Sequence, residues 1–181
     1  LAVVDEQHRF GVAERQRLQA KGQAVHLIAM SATPIPRTLE LTVHGDLDVS
    51  RIDEKPPGRT PVATRAVPMT RLDEVEARLQ RVVARGAQAF WICPLVSESE
   101  LVDLKAAEQR AQDLRRRIGP GVGLVHGKMS GPEKDAVMAD FAEGRIGVLV
   151  ATTVVEVGVN VPNATIMVIE RAESFGLAQL H

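Results

Sequence analysis

An α/β fold built on parallel sheets is predicted by two features of this sequence. Short apolar runs rich in β-branched residues alternate with stretches whose apolar residues recur at helical spacing, the pattern of βαβ units. Several of the runs end in acids, small hydroxyl residues or glycine, types suited to the ligand crevice at the carboxyl edge of an open sheet. The expected strands are residues 1–4, 25–30, 64–67, 89–93, 123–125, 148–151 and 165–169. Between them, Leu72, Val75, Leu79, Val82 and Val83 mark one helical face, Ala107, Ala111, Leu114 and Ile118 a second, and Val137, Met138 and Phe141 a third. Ser130, ahead of Pro132 and Glu133, supplies the N-cap, first-turn proline and capping-box chemistry that starts the third helix.

Residues 53–61, Asp53-Glu54-Lys55-Pro56-Pro57-Gly58-Arg59-Thr60-Pro61, combine three prolines and a glycine with charges, so they cannot hold a helix or a central strand and predict an interdomain linker. Two strands precede it, too few to close a sheet; five follow, enough to fold alone. Position 1 is Leu in a strand already under way, and residues 175–181 read as the opening turn of a helix, so a fragment of a longer protein is expected.

Composition narrows the function classes. The 181 residues carry 22 Lys and Arg against 23 Asp and Glu, a net charge of -1, with 45% hydrophobic and 25% charged residues. That balance excludes a collagen, a disordered tail and a strongly basic nucleic-acid wrapper, and it confines any DNA contact to a local surface. The single Cys93 excludes a disulfide scaffold and a Cys-rich zinc site. No apolar run approaches the roughly 20 residues that span a bilayer and no signal-peptide pattern opens the chain, so a reducing, cytoplasmic setting without a membrane partner is expected. Aromatics at 3% and the absence of Tyr argue against a base-stacking module, and Phe90 and Trp91 read as core. Arg115-Arg116-Arg117 reads as a solvated helix face, and His26 and His44, without metal-ligand partners at helical spacing, as structural.

Four segments carry candidate chemistry. Asp5-Glu6-Gln7-His8 follows the first apolar run, where one acid can hold Mg²⁺ and its neighbour can orient an attacking water; solvated acids at a strand end are the plain alternative. Ser31-Ala32-Thr33 ends the second run, and its hydroxyls can bond a neighbouring carboxylate or sense a γ-phosphate, or simply form a turn. Val125-His126-Gly127-Lys128-Met129-Ser130 joins a strand to the capped helix, offering backbone N–H groups and a Lys to a phosphate; an ordinary strand-to-helix turn explains it equally. It is not a Walker A loop, because position 122 is Val and Met129 follows Lys128. The last segment runs from Val148 through Ala151-Thr152-Thr153, Glu156, Gly158 and Asn160 to Pro162 and offers hydroxyls to a nucleic-acid backbone and polar groups to a nucleotide, or is a hydrophobic crossover.

Taken in order, these segments resemble the motor of superfamily 2 helicases: Asp5-Glu6-Gln7-His8 is similar to motif II, Ser31-Ala32-Thr33 to motif III, and residues 151–162 to motif V. The intervening text, including Arg9-Phe10-Gly11-Val12, residues 30–37, Gly45-Asp46-Leu47-Asp48-Val49-Ser50, Pro56-Pro57-Gly58-Arg59, Cys93-Pro94-Leu95-Val96 and residues 173–181, resembles the RecG family of bacterial ATP-dependent branched-DNA helicases. The transcription-repair coupling translocases share Phe10-Gly11-Val12 and Thr33-Pro34-Ile35-Pro36-Arg37, but Gly45-Asp46-Leu47-Asp48 and Pro56-Pro57-Gly58-Arg59 favour the RecG family.

The resemblance implies RecA-like parallel sheets of a P-loop helicase motor. The first lobe is only partial (1–52, motifs II and III), 53–61 is the linker, and the second lobe (62–181) is nearly complete through motif V. It implies ATP and Mg²⁺ as cofactors and branched DNA, meaning forks and Holliday junctions, as partner. Replication or repair proteins are further partners, unspecified, and the setting is bacterial and nucleoid-associated. By motif match Asp5 holds Mg²⁺, Glu6 activates the hydrolytic water, Ser31 and Thr33 couple hydrolysis to lobe movement, Gly158 and Asn160 face the nucleotide, and Gly127, Lys128 and Thr152 lie on the DNA side. Asn160 stands where the family usually has Asp, which keeps hydrogen bonding but removes a charge.

The same resemblance implies that the P-loop lysine lies before Leu1 and the motif VI arginines beyond His181, so this stretch alone is expected to hydrolyse ATP negligibly. Two other classes compete: a non-catalytic α/β domain binding DNA or protein, and a Rossmann-type dehydrogenase, for which no glycine fingerprint follows a strand.

Overall fold

A computed structural model of the chain describes residues 1–5, 26–30, 48, 50–54, 61–95, 99–152, 161–176 and 180. Two compact units divide it, Leu1–Val62 with Leu177–His181, and Ala63–Gly176.

In the first unit, β1 (Ala2–Val4) pairs in parallel with β2 (Leu27–Ala29), Val3 standing opposite Ile28. The Ala2 N–H donates to the His26 carbonyl at 2.7 Å and the Met30 N–H to the Val4 carbonyl at 2.8 Å, extending the ladder past both ends. Val4 is buried while Val3 is exposed, as the two-residue period of a strand requires.

The second unit is a four-stranded parallel sheet in the order β4-β5-β3-β6, formed by β3 (Gln88–Ile92), β4 (Val122–Val125), β5 (Val148–Ala151) and β6 (Ala164–Ile169). Parallel neighbours need long crossovers. The helices α1 (Leu72–Val83), α2 (Glu100–Ile118) and α3 (Gly131–Ala142) provide them between β3, β4 and β5 or lead into β3. Every residue of β3 and β5 is buried, as expected for central strands covered on both faces. On one face Trp91, Val148 and Val150 pack with Leu79 of α1 and with Ala107, Ala111 and Leu114 of α2. On the other, Phe90, Leu149 and Ala151 pack with Phe141 of α3, whose ring meets that of Phe90 edge-on at 4.9 Å. Two close approaches occur at glycines. A Cβ on Gly147 would lie 2.6 Å from a Val83 methyl, and one on Gly123 2.6 Å from the end of Ile146.

The three expected helices form where their apolar periods predict, and four of the five strands expected after the linker form as well. The exception is 64–67. This stretch has no regular secondary structure and is exposed, between Pro61 and Pro68, which have no N–H to give a ladder. Its β-branched content suits a pleated, half-buried surface, and no sheet neighbour supplies one. Phe90 and Trp91 are core, as expected. Arg115 and Arg116 are exposed, yet each of the three arginines has a partner: the Val122 carbonyl for Arg115, Asp113 for Arg116, and Asp73 and Glu76 for Arg117. Among the described residues, no helix is long and apolar enough to cross a membrane.

Candidate functional site

Parallel pairing brings the carboxyl ends of β1 and β2 side by side, so the segments that follow both strands start from one edge. Asp5 is the first residue past β1 and is exposed there; Met30 is the first past β2. Glu6, Ser31 and Thr33 follow directly in the chain and lie outside the described residues, as do Gly158 and Asn160. No group of three or more His, Cys, Asp and Glu side chains able to hold a metal occurs among the described residues.

In the second unit the register aligns Val125 with Ala151, Ala151 with Ile92, and Ile92 with Ile169. The residues one step beyond, His126, Thr152, Cys93 and Glu170, therefore line the carboxyl rim in strand order. Two further bonds hold the row: the Cys93 N–H donates to the Ala151 carbonyl at 2.8 Å and the Glu170 N–H to the Ile92 carbonyl at 3.0 Å. Gly127 and Lys128 form the turn after His126, closed by the Met129 N–H on the His126 carbonyl at 3.2 Å. Both are exposed, and a Cβ on Gly127 would meet nothing within 4 Å, so packing does not demand a glycine there. Lys134 Nζ, from the first turns of α3, donates to the Gly127 carbonyl at 3.2 Å.

The structure thus brings Gly127, Lys128 and Thr152 to one end of two adjacent strands. They differ in access, because Thr152 is 3% exposed.

The start of α3 beside this turn is fixed locally. Glu133 Oε2 accepts from the Ser130 backbone N–H at 2.8 Å and from its Oγ at 2.7 Å. The side-chain bond from Ser130, then its backbone bond, holds the Glu133 carboxyl below the usual carboxylate range. No role is predicted for His126 from the sequence, although it lies in the strand-to-turn segment 125–130. Its Nδ1 is buried with no hydrogen-bond partner among the described residues.

At the other end of the rim, Glu170 Oε1 accepts from Trp91 Nε1 and from Arg110 Nε, both at 2.5 Å. Arg110 also bonds Glu76 at 3.1 Å and stacks 5.6 Å from the Trp91 ring centre. Burial works to lower the Arg110 pKa, but the hydrogen bond and charge of Glu170, with the charge of Glu76, carry it upward. Burial first, then Glu170, pushes the Cys93 thiol up to about 12, against the opposing pull of Arg110. These residues lie far apart in sequence, so no local pattern announced them.

The profile of the helicase conserved C-terminal domain matches residues 74–181, more than half of the chain. The ATP-dependent DNA helicase RecG of Acidithiobacillus ferridurans is 54% identical over all of this chain and 27% of its own length. That of Escherichia coli strain K12 is 52% identical, again over the whole chain and 27% of its own length. A solved structure of RecG bound to a three-way DNA junction superposes with a TM-score of 0.71 at 49% identity, covering 99% of this chain and 23% of that one. The chain spans about a quarter of the length of the RecG proteins it matches. With the parallel α/β sheet and its rim in place, the family match carries the assignment: the chain belongs to the helicase conserved C-terminal domain family.

Proposed function

We propose that this chain is part of the motor of an ATP-dependent DNA helicase that acts on branched DNA, forks and Holliday junctions included. The observation that carries the reading is similarity along the entire chain, 54% identical, to an ATP-dependent DNA helicase RecG. Candidate chemical residues that follow the carboxyl ends of parallel strands support it. In this reading residues 1–52 belong to a first RecA-like lobe, 53–61 are the linker, and 62–181 belong to the second lobe.

The first lobe's edge serves the phosphates. Magnesium entering with ATP would supply positive charge against the phosphates. Asp5, an exposed hard oxygen donor at the strand end, suits that ion, which usually takes one or two carboxylates and completes its shell with phosphate and water. Glu6 accepts the proton of the water that attacks the γ-phosphorus, while ADP departs with the bridging oxygen. Ser31 and Thr33 couple that step to lobe movement, and Gly158 and Asn160 contact the nucleotide from the second lobe. Gly127 and Lys128 hold the DNA backbone, an exposed turn and cation beside a helix N-terminus being suited to a phosphate. Thr152 supports the same surface from beneath.

The test is ATP hydrolysis by the full-length protein carrying this chain, with and without forked DNA. Turnover stimulated by the fork is expected, and Glu6→Gln should reduce it by roughly 10²-fold or more while leaving nucleotide binding intact. A wild type indifferent to DNA would sink the motor reading. Retained turnover in the variant would remove Glu6 from its role and leave the rest standing.

A further inference from the structure

A cleft of about 860 Å³ opens along α1, and the rim chemistry does not use it. Its walls are the helix and the irregular stretch before it, and the residues lining it include Arg65, Val67, Arg71, Glu74, Arg78 and Arg81. Helical geometry separates two flanks of α1. Asp73 accepts from Arg117 of α2 at 2.8 Å, and Gln80 donates to the Arg117 carbonyl at 2.6 Å. Arg71, Glu74, Arg78 and Arg81 follow at intervals of three, four and three residues, one stripe on the flank turned away from those contacts.

The arginines of this stripe keep spare guanidinium donors, unlike most others in the unit; among the described residues the Arg85 and Arg171 side chains also make no hydrogen bond or ion pair. Arg110, Arg115, Arg116, Arg117 and Arg145 are each committed to a carboxylate or a carbonyl of the chain. Arg65 and Arg78 make no hydrogen bond or ion pair among the described residues. Arg81 uses only its Nε, on the Ala77 carbonyl at 3.3 Å. Arg71 alone faces an acid, Glu74, through bonds of 2.9 and 2.7 Å. One carboxylate therefore stands against four guanidinium groups in an open cleft of a chain whose net charge is -1.

Planar guanidinium forks match the paired oxygens of a phosphodiester. From Arg71 to Arg81 the helix rises about 15 Å. That is the axial span of roughly four phosphates along one DNA strand. A small anion would meet only one or two of these groups, whereas a rigid, regularly charged polymer meets the row. We propose that this cleft binds the phosphate backbone of DNA, as a contact separate from the Gly127–Lys128 turn. The proposal rests on the motor reading and adds a second contact to it.

The experiment measures binding of a labelled DNA fork to the full-length protein between about 50 and 200 mM salt. In the R65Q/R78Q/R81Q variant the slope of log affinity against log salt should become shallower by about 2 to 3, with binding roughly tenfold weaker or more at the lowest salt. R78Q alone should remove about 1 from the slope, which keeps the test decisive if the triple variant fails to fold. R116Q, which loses the same charge from the exposed Asp113 pair, should keep the wild-type slope.

A wild type that binds DNA and is stimulated by it, with R78Q and the triple variant both at the wild-type slope, overturns the cleft and leaves the motor reading intact. The same unchanged slope, combined with polyglutamate retention by the wild type and not by the variant, would reassign the cleft to an acidic polypeptide. Failure of the wild type to bind DNA at all would remove the motor reading itself.

Discussion

A thiol sealed into a core beside a carboxylate resists ionisation, and Cys93 is held that way on the rim of the second unit. Burial pushes its pKa up to about 12 and Glu170 reinforces the shift, so the thiolate that nucleophilic attack requires is scarce near neutrality. Iodoacetamide at pH 8 should leave Cys93 unmodified in the folded chain and alkylate it fully after denaturation, read by mass; rapid alkylation of the folded chain would contradict the burial. Glu133 shifts in the opposite sense. Its folded pKa is depressed, chiefly by the Ser130 side-chain bond, so its contribution is present above the unfolded value near 4.5 and is lost as pH falls through the folded one. Glu133→Gln should remove that part of the acid limb of stability and leave the neutral plateau's pH dependence unchanged; an unaltered acid limb would show that the cap does not act through charge. Ser130, Pro132 and Glu133 were legible in the sequence because a cap is local. Asp5, Gly127 and Lys128 were placed at strand ends by their motifs, but the burial of Thr152 and the rim neighbours Cys93 and Glu170 depend on strand register, which no single segment encodes.

Elements in the second unit are joined by one polar cluster as well as by apolar packing. Arg110 of α2 reaches Glu170 after β6, Glu76 of α1 and the Trp91 ring of β3, so one side chain ties four elements together. The Arg110 and Glu170 side chains are only 19% and 12% exposed, and water does little to screen them. Glu170→Gln leaves the guanidinium buried with one acid fewer and should cost about 3 kcal/mol. Urea unfolding followed by the fluorescence of Trp91, the one Trp in the chain, reads this directly. A loss below about 0.5 kcal/mol would mean that the pair contributes no more than a solvated surface bridge. The helices were legible because each must bury a continuous apolar stripe, and the central strands because β5 is apolar throughout and β3 is apolar after Gln88. The expected strand at 64–67 failed for the complementary reason. Strand composition describes a surface that fits a sheet, and the stretch between Pro61 and Pro68 has no sheet beside it.

The whole molecule divides where its buried area does. Ala63–Gly176 holds both core clusters, packed on opposite faces of one sheet, whereas residues 61–71 are exposed at every position. Proteases cut backbone that can enter their active sites without unfolding a core, so this exposed stretch is the weak point of the described chain. Brief trypsin digestion should cut after Arg65 before it cuts anywhere within residues 72–176. The product should keep Trp91, the α1–α2 contacts through Arg117 and the folded-state fluorescence. Arg71 is a slower second site, because its side chain is held by Glu74 at the entrance to α1. Arg110 and Arg117, on α2 against the sheet, are exposed to trypsin only when the cores open, so cleavage there should follow global unfolding and speed up with urea. Cleavage after Arg65 should proceed without urea. If instead the first products split the chain at Arg110 or Arg117, the sheet and its helices would not form one cooperative unit, and the rim of His126, Thr152, Cys93 and Glu170 would lack the rigid support that its register implies.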